Sequence, residues 1–278
     1  MSKTGANVAA NPSPTKTIST DGTQIATYAR GGGKPVVMIN GLGASAQDWG
    51  PLGDQLAQRA RLIAFDNRGA GRSTTPAQPF SLERMAQDVA AVFDAYGLKS
   101  ASLIGHSMGG MIAQLVAVAR PDLVERLVLI GTHSGAQSAV PSTPAARAAM
   151  FPEEKLPREV LVRRQFEVYV APEFLARHRD TFERMMTVRL ANLIPLEMWQ
   201  LQLQAIMQSE RAEIIRAIRA PTLIVHGRED QLVPFANGEK LRDLIPGARL
   251  AALDDCGHIV NWEKPVEAAA AIGEFLEL

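Results

Sequence analysis

Short unbroken apolar runs alternate along this chain with longer stretches in which apolar residues recur every three or four positions. Val36-Val37-Met38-Ile39, Leu62-Ile63-Ala64-Phe65, Ser102-Leu103-Ile104, Leu127-Val128-Leu129-Ile130 and Thr222-Leu223-Ile224-Val225 have the length and β-branched content of strands. Runs of this kind suit strands covered on both faces, as in a parallel sheet between layers of helix. Ahead of them, residues 16–19 and 24–28 flank Asp21-Gly22, a dipeptide that favours a hairpin turn, so the chain is expected to open with an antiparallel pair. Leu82, Met85, Val89, Val92 and Tyr96 recur at helical spacing, with Gly97 where a C-terminal cap belongs. Residues 108–120 read as a second helix, stopped by Pro121. Pro265 opens a last one, with Val266, Ala269, Ile272 and Leu276 expected on one face. Strands alternating with helices predict an α/β fold built on a parallel sheet.

The alternation breaks over residues 135–219, a charged stretch of helical composition with few strand signals. It reads as a helical cap inserted between two parts of one core domain, residues 1–134 and 220–278. The cap holds Met150, Met185, Met186, Met198 and Met207, together with Phe166, Tyr169, Phe174 and Trp199. Methionine-rich helices can form an adaptable apolar roof over a pocket. The alternative is that these residues pack the cap's own core.

Composition narrows the functional classes. The chain has 278 residues, 46% hydrophobic and 21% charged, with a formal net charge of +0. That balance offers no electrostatic case for a nucleic-acid or anionic-membrane partner. With Cys256 as the single cysteine, neither an intrachain disulfide nor a cysteine metal cluster can form, and Cys256 reads as a small buried residue. No apolar run reaches the roughly 18–20 residues of a membrane helix. Residues 1–20 are polar and lack the apolar core of a signal peptide. The expectation is a soluble cytoplasmic protein, monomer or homodimer, with residues 1–13 as a flexible tail.

The chemistry centres on Gly105-His106-Ser107-Met108-Gly109-Gly110, which follows a predicted strand and opens a predicted helix. In that context a G-x-S-x-G motif is a nucleophile elbow: the serine sits on a strained turn, and small neighbours let strand and helix pass closely. A serine hydroxyl needs a base, and the base an orienting acid. Asp230 and His258 follow Ser107 in the required order, each just past a strand, and Glu229 is the alternative acid. Ligands bind open α/β sheets at such strand ends. Of the other histidines, His106 is expected to pack away from the nucleophile and His226 to be a structural hydrogen-bond partner. His133 is a candidate pocket residue, and His178 belongs on the cap surface. The developing oxyanion calls for two backbone N–H donors, assigned to Met108 and to Leu42 in Asn40-Gly41-Leu42-Gly43. Asn40, Gly41, His133, Met150, Trp199, Val233 and Ile259 are the expected pocket lining. Arg163, Arg164, Arg177 and Arg189 offer a partner for a substrate carboxylate, although nearby glutamates make surface ion pairs the plainer account.

With these elements in place, residues 16–276 resemble the α/β-hydrolase family. The resemblance implies a mostly parallel, twisted, eight-stranded sheet flanked by helices, and gives Ser107, Asp230 and His258 the family's nucleophile, acid and base roles. Asp66-Asn67-Arg68-Gly69-Ala70-Gly71-Arg72-Ser73 looks like the family's loop after the fourth strand, with Asp66 and Arg68 ordering it. The segment from Gly257-His258 to Trp262-Glu263-Lys264-Pro265 also fits. Many relatives have histidine where Asn40 stands, and asparagine there resembles 3-oxoadipate enol-lactonases and intracellular polyhydroxyalkanoate depolymerases. Residues 105–114 look closer to lactonases and small-ester esterases, and Trp262 resembles C–C bond hydrolases. The expected function is hydrolysis of a small-molecule ester or lactone, with no cofactor and no metal. C–C bond hydrolysis by the same three residues is the alternative, and a ligand-binding receptor of the same fold is a third reading.

Overall fold

The computed structural model describes residues 13–75 and 78–278, so the tail expected at residues 1–13 lies, except for Ser13, outside the described residues. Eight strands form one sheet: β1 (Lys16–Thr20), β2 (Thr23–Arg30), β3 (Pro35–Ile39), β4 (Arg61–Phe65), β5 (Ala101–His106), β6 (Val124–Ile130), β7 (Thr222–Gly227) and β8 (Arg249–Leu253). Their spatial order is β1-β2-β4-β3-β5-β6-β7-β8. The pairs β1/β2 and β2/β4 are antiparallel and the rest parallel. Asp21 and Gly22 close the first hairpin with φ of 46° and 87°, the two left-handed residues that a type I′ turn requires.

Eleven α-helices are described: α1 (Gly50–Ala57), α2 (Leu82–Ala95), α3 (Met108–Ala119), α4 (Pro144–Met150), α5 (Arg158–Tyr169), α6 (Pro172–Arg177), α7 (Arg179–Ala191), α8 (Leu196–Met207), α9 (Ala236–Leu244), α10 (Val260–Glu263) and α11 (Pro265–Leu276). Side chains alternate across a strand, and the two sheet faces bury different cores. Val37, Ile39, Ile63, Phe65, Leu103, Leu127 and Leu129 pack with α2 and α3 on one face. Val36, Met38, Leu62, Ile104, Val128 and Ile130 pack with α1 and α11 on the other. This is why the central strands are apolar without alternation. α1 and α9 escape apolar periodicity because each buries so little apolar surface, Leu52 and Leu56 in one and Leu241 in the other. The inward face of α11 is Ala268, Ile272, Phe275 and Leu276. Val266, expected on that face, is 61% exposed, because the stripe that meets α1 is set by residues 268, 272 and 275 rather than by the first turn.

Helices α4 to α8 all fall between β6 and β7. The two ends of this insertion are tied together: Arg211 N donates to Ser134 O (2.9 Å) and Ala136 N to Ser209 O (3.1 Å). Glu210 accepts from Gln137 N and from the Ser138 hydroxyl. Its helices share a core of Val162, Tyr169, Phe174, Phe182, Met185 and Met186, joined by Ile259 and by Trp262 of α10. Met186 is thus a packing residue, Met198 packs apart from it with Ala70 and Ile194, Met207 is 63% exposed, and Met150 and Met185 border the cavity described below. Among the described residues, no helix is long and apolar enough to cross a membrane.

Candidate active site

Ser107 occupies the junction between β5 and α3 with φ 54° and ψ −120°, a strained conformation for a residue with a side chain. The surroundings enforce it. Ser107 N donates to Ile130 O (2.9 Å), and Ser107 O accepts from the Thr132 hydroxyl (2.8 Å). A Cβ on Gly105 would lie 2.3 Å from Gly109 O, and one on Gly109 would lie 2.0 Å from Ile39 O. Glycine is therefore required on both sides of the serine for α3 to start against the ends of β3 and β5.

Asp230 and His258 are carried by the loops after β7 and β8. The Asp230 carboxylate accepts from His258 Nδ1 at 2.7 Å. Its other oxygen accepts from Leu232 N (2.9 Å) and Val233 N (2.7 Å). Burial alone would raise the Asp230 carboxyl. Attraction to the adjacent His258 and His226 rings, with the hydrogen bond from His258 Nδ1, outweighs it and holds the group well below the ordinary carboxylate range. With Nδ1 donating to the carboxylate, His258 keeps Nε2 as an acceptor. Glu229 is only half-buried, and its backbone N–H goes to Cys256 O.

The loop bearing His258 is anchored to the insertion. His258 N donates to Tyr169 O (2.7 Å). The buried Glu263 carboxylate accepts from Ala171 N, Gly257 N and Ile259 N at 2.7–2.9 Å. Burial pushes Glu263 up to about 7 against the pull of those three donors. The family-like Trp262-Glu263 pair contains this clamp, but its three partners cannot be read from the pair itself.

Ser107 and His258 border one cavity of about 80 Å³. Asn40, Gly41, Met150, Trp199 and Ile259 line it as the sequence suggests. His133 and Val233 do not. The His133 ring turns back to accept from Gly135 N (3.2 Å), and Val233 serves through its backbone, accepting from His226 Nε2 while its own N–H binds Asp230. His226 is thus the structural hydrogen-bond partner expected, and His178 is exposed. His106 departs from expectation: its ring lines the cavity, 5.0 Å from the His258 ring centre, and Nε2 donates to His258 O (3.0 Å). Arg163, Arg164 and Arg177 pair with Glu183, Glu154 and Glu173 at the surface. Arg189 differs, being buried at the cavity. Four lining residues carry a buried polar atom with no partner among the described residues: Trp49 Nε1, Tyr169 OH, Arg189 Nε and Asn261 Oδ1. The backbone N–H groups of Leu42 and Met108 likewise have no acceptor there.

Burial, assisted by His258, holds His106 down at about 3, and burial with Arg211 holds His133 at about 4. The unfolded chain takes up these protons near the ordinary histidine value of about 6.5. At these two histidines the folded chain therefore binds fewer protons between those values, which lowers stability as pH drops below about 6.5, while Glu263, held at about 7, binds its proton more readily in the folded chain and offsets part of that loss. The urea midpoint is expected to decline from pH 7 to 4.5, and the decline should flatten in His106→Gln. An unchanged pH profile in that variant would contradict the assignment.

The chain belongs to the alpha/beta hydrolase fold family, which matches residues 34–265. It is 30% identical over 266 residues to the 2-hydroxymuconate semialdehyde hydrolase of Pseudomonas sp. strain CF600, covering 88% of each chain. Among solved structures it resembles Est816, an N-acyl homoserine lactone degrading enzyme, with a TM-score of 0.79 and 27% identity, covering 94% of this chain and 100% of that one. It shares the fold of the enol-lactonase from Burkholderia xenovorans LB400 at a TM-score of 0.81 and 24% identity, covering 95% and 100%. The eight-stranded, mostly parallel sheet flanked by helices is the family's architecture, and hydrolysis is its common chemistry.

Proposed function

We propose that this protein hydrolyses a small or medium carboxylic ester or lactone through an acyl-enzyme formed on Ser107. The observation that carries the reading is the 2.7 Å bond from His258 Nδ1 to the buried Asp230 carboxylate, beside a cavity shared with Ser107. His258 Nε2 takes the hydroxyl proton as Ser107 Oγ bonds to the carbonyl carbon, and Asp230 stabilises the imidazolium. The Leu42 and Met108 N–H groups hold the oxyanion. The intermediate collapses, the C–O bond to the leaving alcohol breaks, and His258 protonates that oxygen. Water, deprotonated by His258, then attacks the acyl carbon and releases the acid, and Ser107 regains its proton.

In this reading residues 135–219 act as a cap, with residues 1–134 and 220–278 as the core. The working setting is the cytoplasm, with a small molecule as the partner. Met150, Trp199 and Ile259 at the cavity favour an apolar acyl or alcohol group. A second reading, C–C bond hydrolysis with the same three residues, draws support from the 2-hydroxymuconate semialdehyde hydrolase and from Trp262 and Arg189 at the cavity.

A substrate panel separates the two: p-nitrophenyl acetate, butyrate and octanoate, a lactone, a dicarboxylic ester and a dienoic ring-cleavage product. Steady turnover of esters or lactone above the dienoic compound is the expected result. Turnover of the dienoic compound alone replaces the first reading with the second. Covalent labelling of Ser107 without steady turnover of any compound would favour a receptor and overturn both.

A further inference from the structure

Residues 41–44 form a turn in which each peptide plane is held. Gly41 O accepts from Ala44 N (3.2 Å), the bond that closes a β-turn. Gly43, at the third position, has φ 66°, as a type II turn requires. The central peptide is gripped at both ends: Leu42 O accepts from Arg189 Nη2 (3.2 Å), and Gly43 N donates to Gln202 Oε1 (2.8 Å). The next carbonyl, Gly43 O, accepts from Arg189 Nη1 (2.5 Å). In a trans peptide the C=O and N–H point in opposite directions. With Gly41 O drawn toward Ala44, the Leu42 N–H faces away from the turn, and Gly41 stands against Ser107, where a Cβ would lie 3.2 Å from the serine Cβ.

The grip comes entirely from the insertion. Arg189 belongs to α7 and Gln202 to α8. Both are buried, and each is itself fixed: Arg189 lies 3.6 Å from Asp48 Oδ1, and Gln202 Nε2 donates to Arg68 O (3.1 Å). A buried guanidinium ordinarily meets a carboxylate in a two-pronged pair. Here both Nη atoms meet backbone carbonyls of one turn.

We propose that Arg189 and Gln202 are positioning residues that hold the Leu42 N–H in place for the oxyanion, so that the turn is assembled only while the inserted helices are seated. This rests on the assignment of Leu42 and Ser107 given above.

The test is Gln202→Leu, which removes the acceptor for Gly43 N at similar volume, with Arg189→Lys as an independent variant. For p-nitrophenyl butyrate, kcat is expected to fall about 10- to 100-fold, with KM changing by no more than about threefold. Affinity for phenylboronic acid, whose tetrahedral adduct with the serine places an oxygen at the oxyanion position, should fall by the same factor as kcat/KM. Affinity for butyrate, the product acid, should not change. A folded variant with the wild-type kcat overturns the proposal, and so does a loss of rate with unchanged boronate affinity. If Gln202→Leu does not fold, Arg189→Lys is judged by the same two outcomes. Ser107→Ala is measured in parallel. If it is inactive, a negative result at Gln202 counts against the positioning role alone. If it turns over the ester, the reading of Ser107 fails instead.

Discussion

Ser107→Ala is expected to lower kcat/KM for a p-nitrophenyl ester by roughly 10⁵-fold while leaving the fold in place. Removing the nucleophile of such a site removes the covalent route, and only binding and oxyanion stabilisation remain. The fold should tolerate the change. The strained φ of 54° at this position is imposed by the packing of Gly105 and Gly109, and serine has no advantage over alanine in bearing it. The bonds that fix the turn use the Ser107 backbone, and among the described residues the hydroxyl makes none. Urea unfolding should therefore shift by no more than about 0.5 kcal/mol. Turnover at the wild-type rate in a folded Ser107→Ala protein would place the chemistry elsewhere.

Asp230→Asn should reduce kcat by about 10³- to 10⁴-fold, for a reason visible in the hydrogen bonds. Asp230 Oδ1 accepts from both Leu232 N and Val233 N, so that position has to remain an oxygen. The amide nitrogen of an asparagine then falls where Oδ2 now meets His258 Nδ1. An N–H pointing at Nδ1 forces the imidazole proton onto Nε2, the atom that must receive the serine proton. The base is thereby held in its unreactive tautomer, and its cation loses the carboxylate beside it. Glu229→Gln is expected to stay within about twofold of wild type, since among the described residues the carboxylate on His258 Nδ1 is that of Asp230 and the Glu229 side chain is only half-buried. A full rate in Asp230→Asn, or a collapse in Glu229→Gln, would reverse the assignment of the acid.

The departures from the sequence reading share a cause. His133 follows a core strand, as pocket residues often do, but its ring is captured by Gly135 N only two residues on. His106 should turn from the nucleophile by its place in the elbow, yet the His258 carbonyl, 152 residues later in the chain, draws its ring to the cavity. Val266 fits the apolar spacing of α11 and still lies outside, because the helix α1 that covers α11 meets other positions. Arg189 looks like its neighbours Arg163, Arg164 and Arg177, and nothing in its local sequence distinguishes a clamp from a surface ion pair.

What the sequence determined by itself is whatever is encoded over a few residues or in chain order. The strands follow from short apolar runs, the opening hairpin from Asp21-Gly22, the elbow from Gly105 to Gly109, and the candidate acid and base from their positions after β7 and β8. These are local steric and burial constraints, and they survive without knowledge of what packs where. Only the tertiary structure decided which of Asp230 and Glu229 meets His258, which side chains border the cavity, and what holds the Leu42 turn. The bonds from Gln202 to Gly43 and from Arg189 to Gly43 span 159 and 146 residues. Contacts of that separation depend on how the inserted helices settle on the sheet, and no spacing along the chain records where they settle.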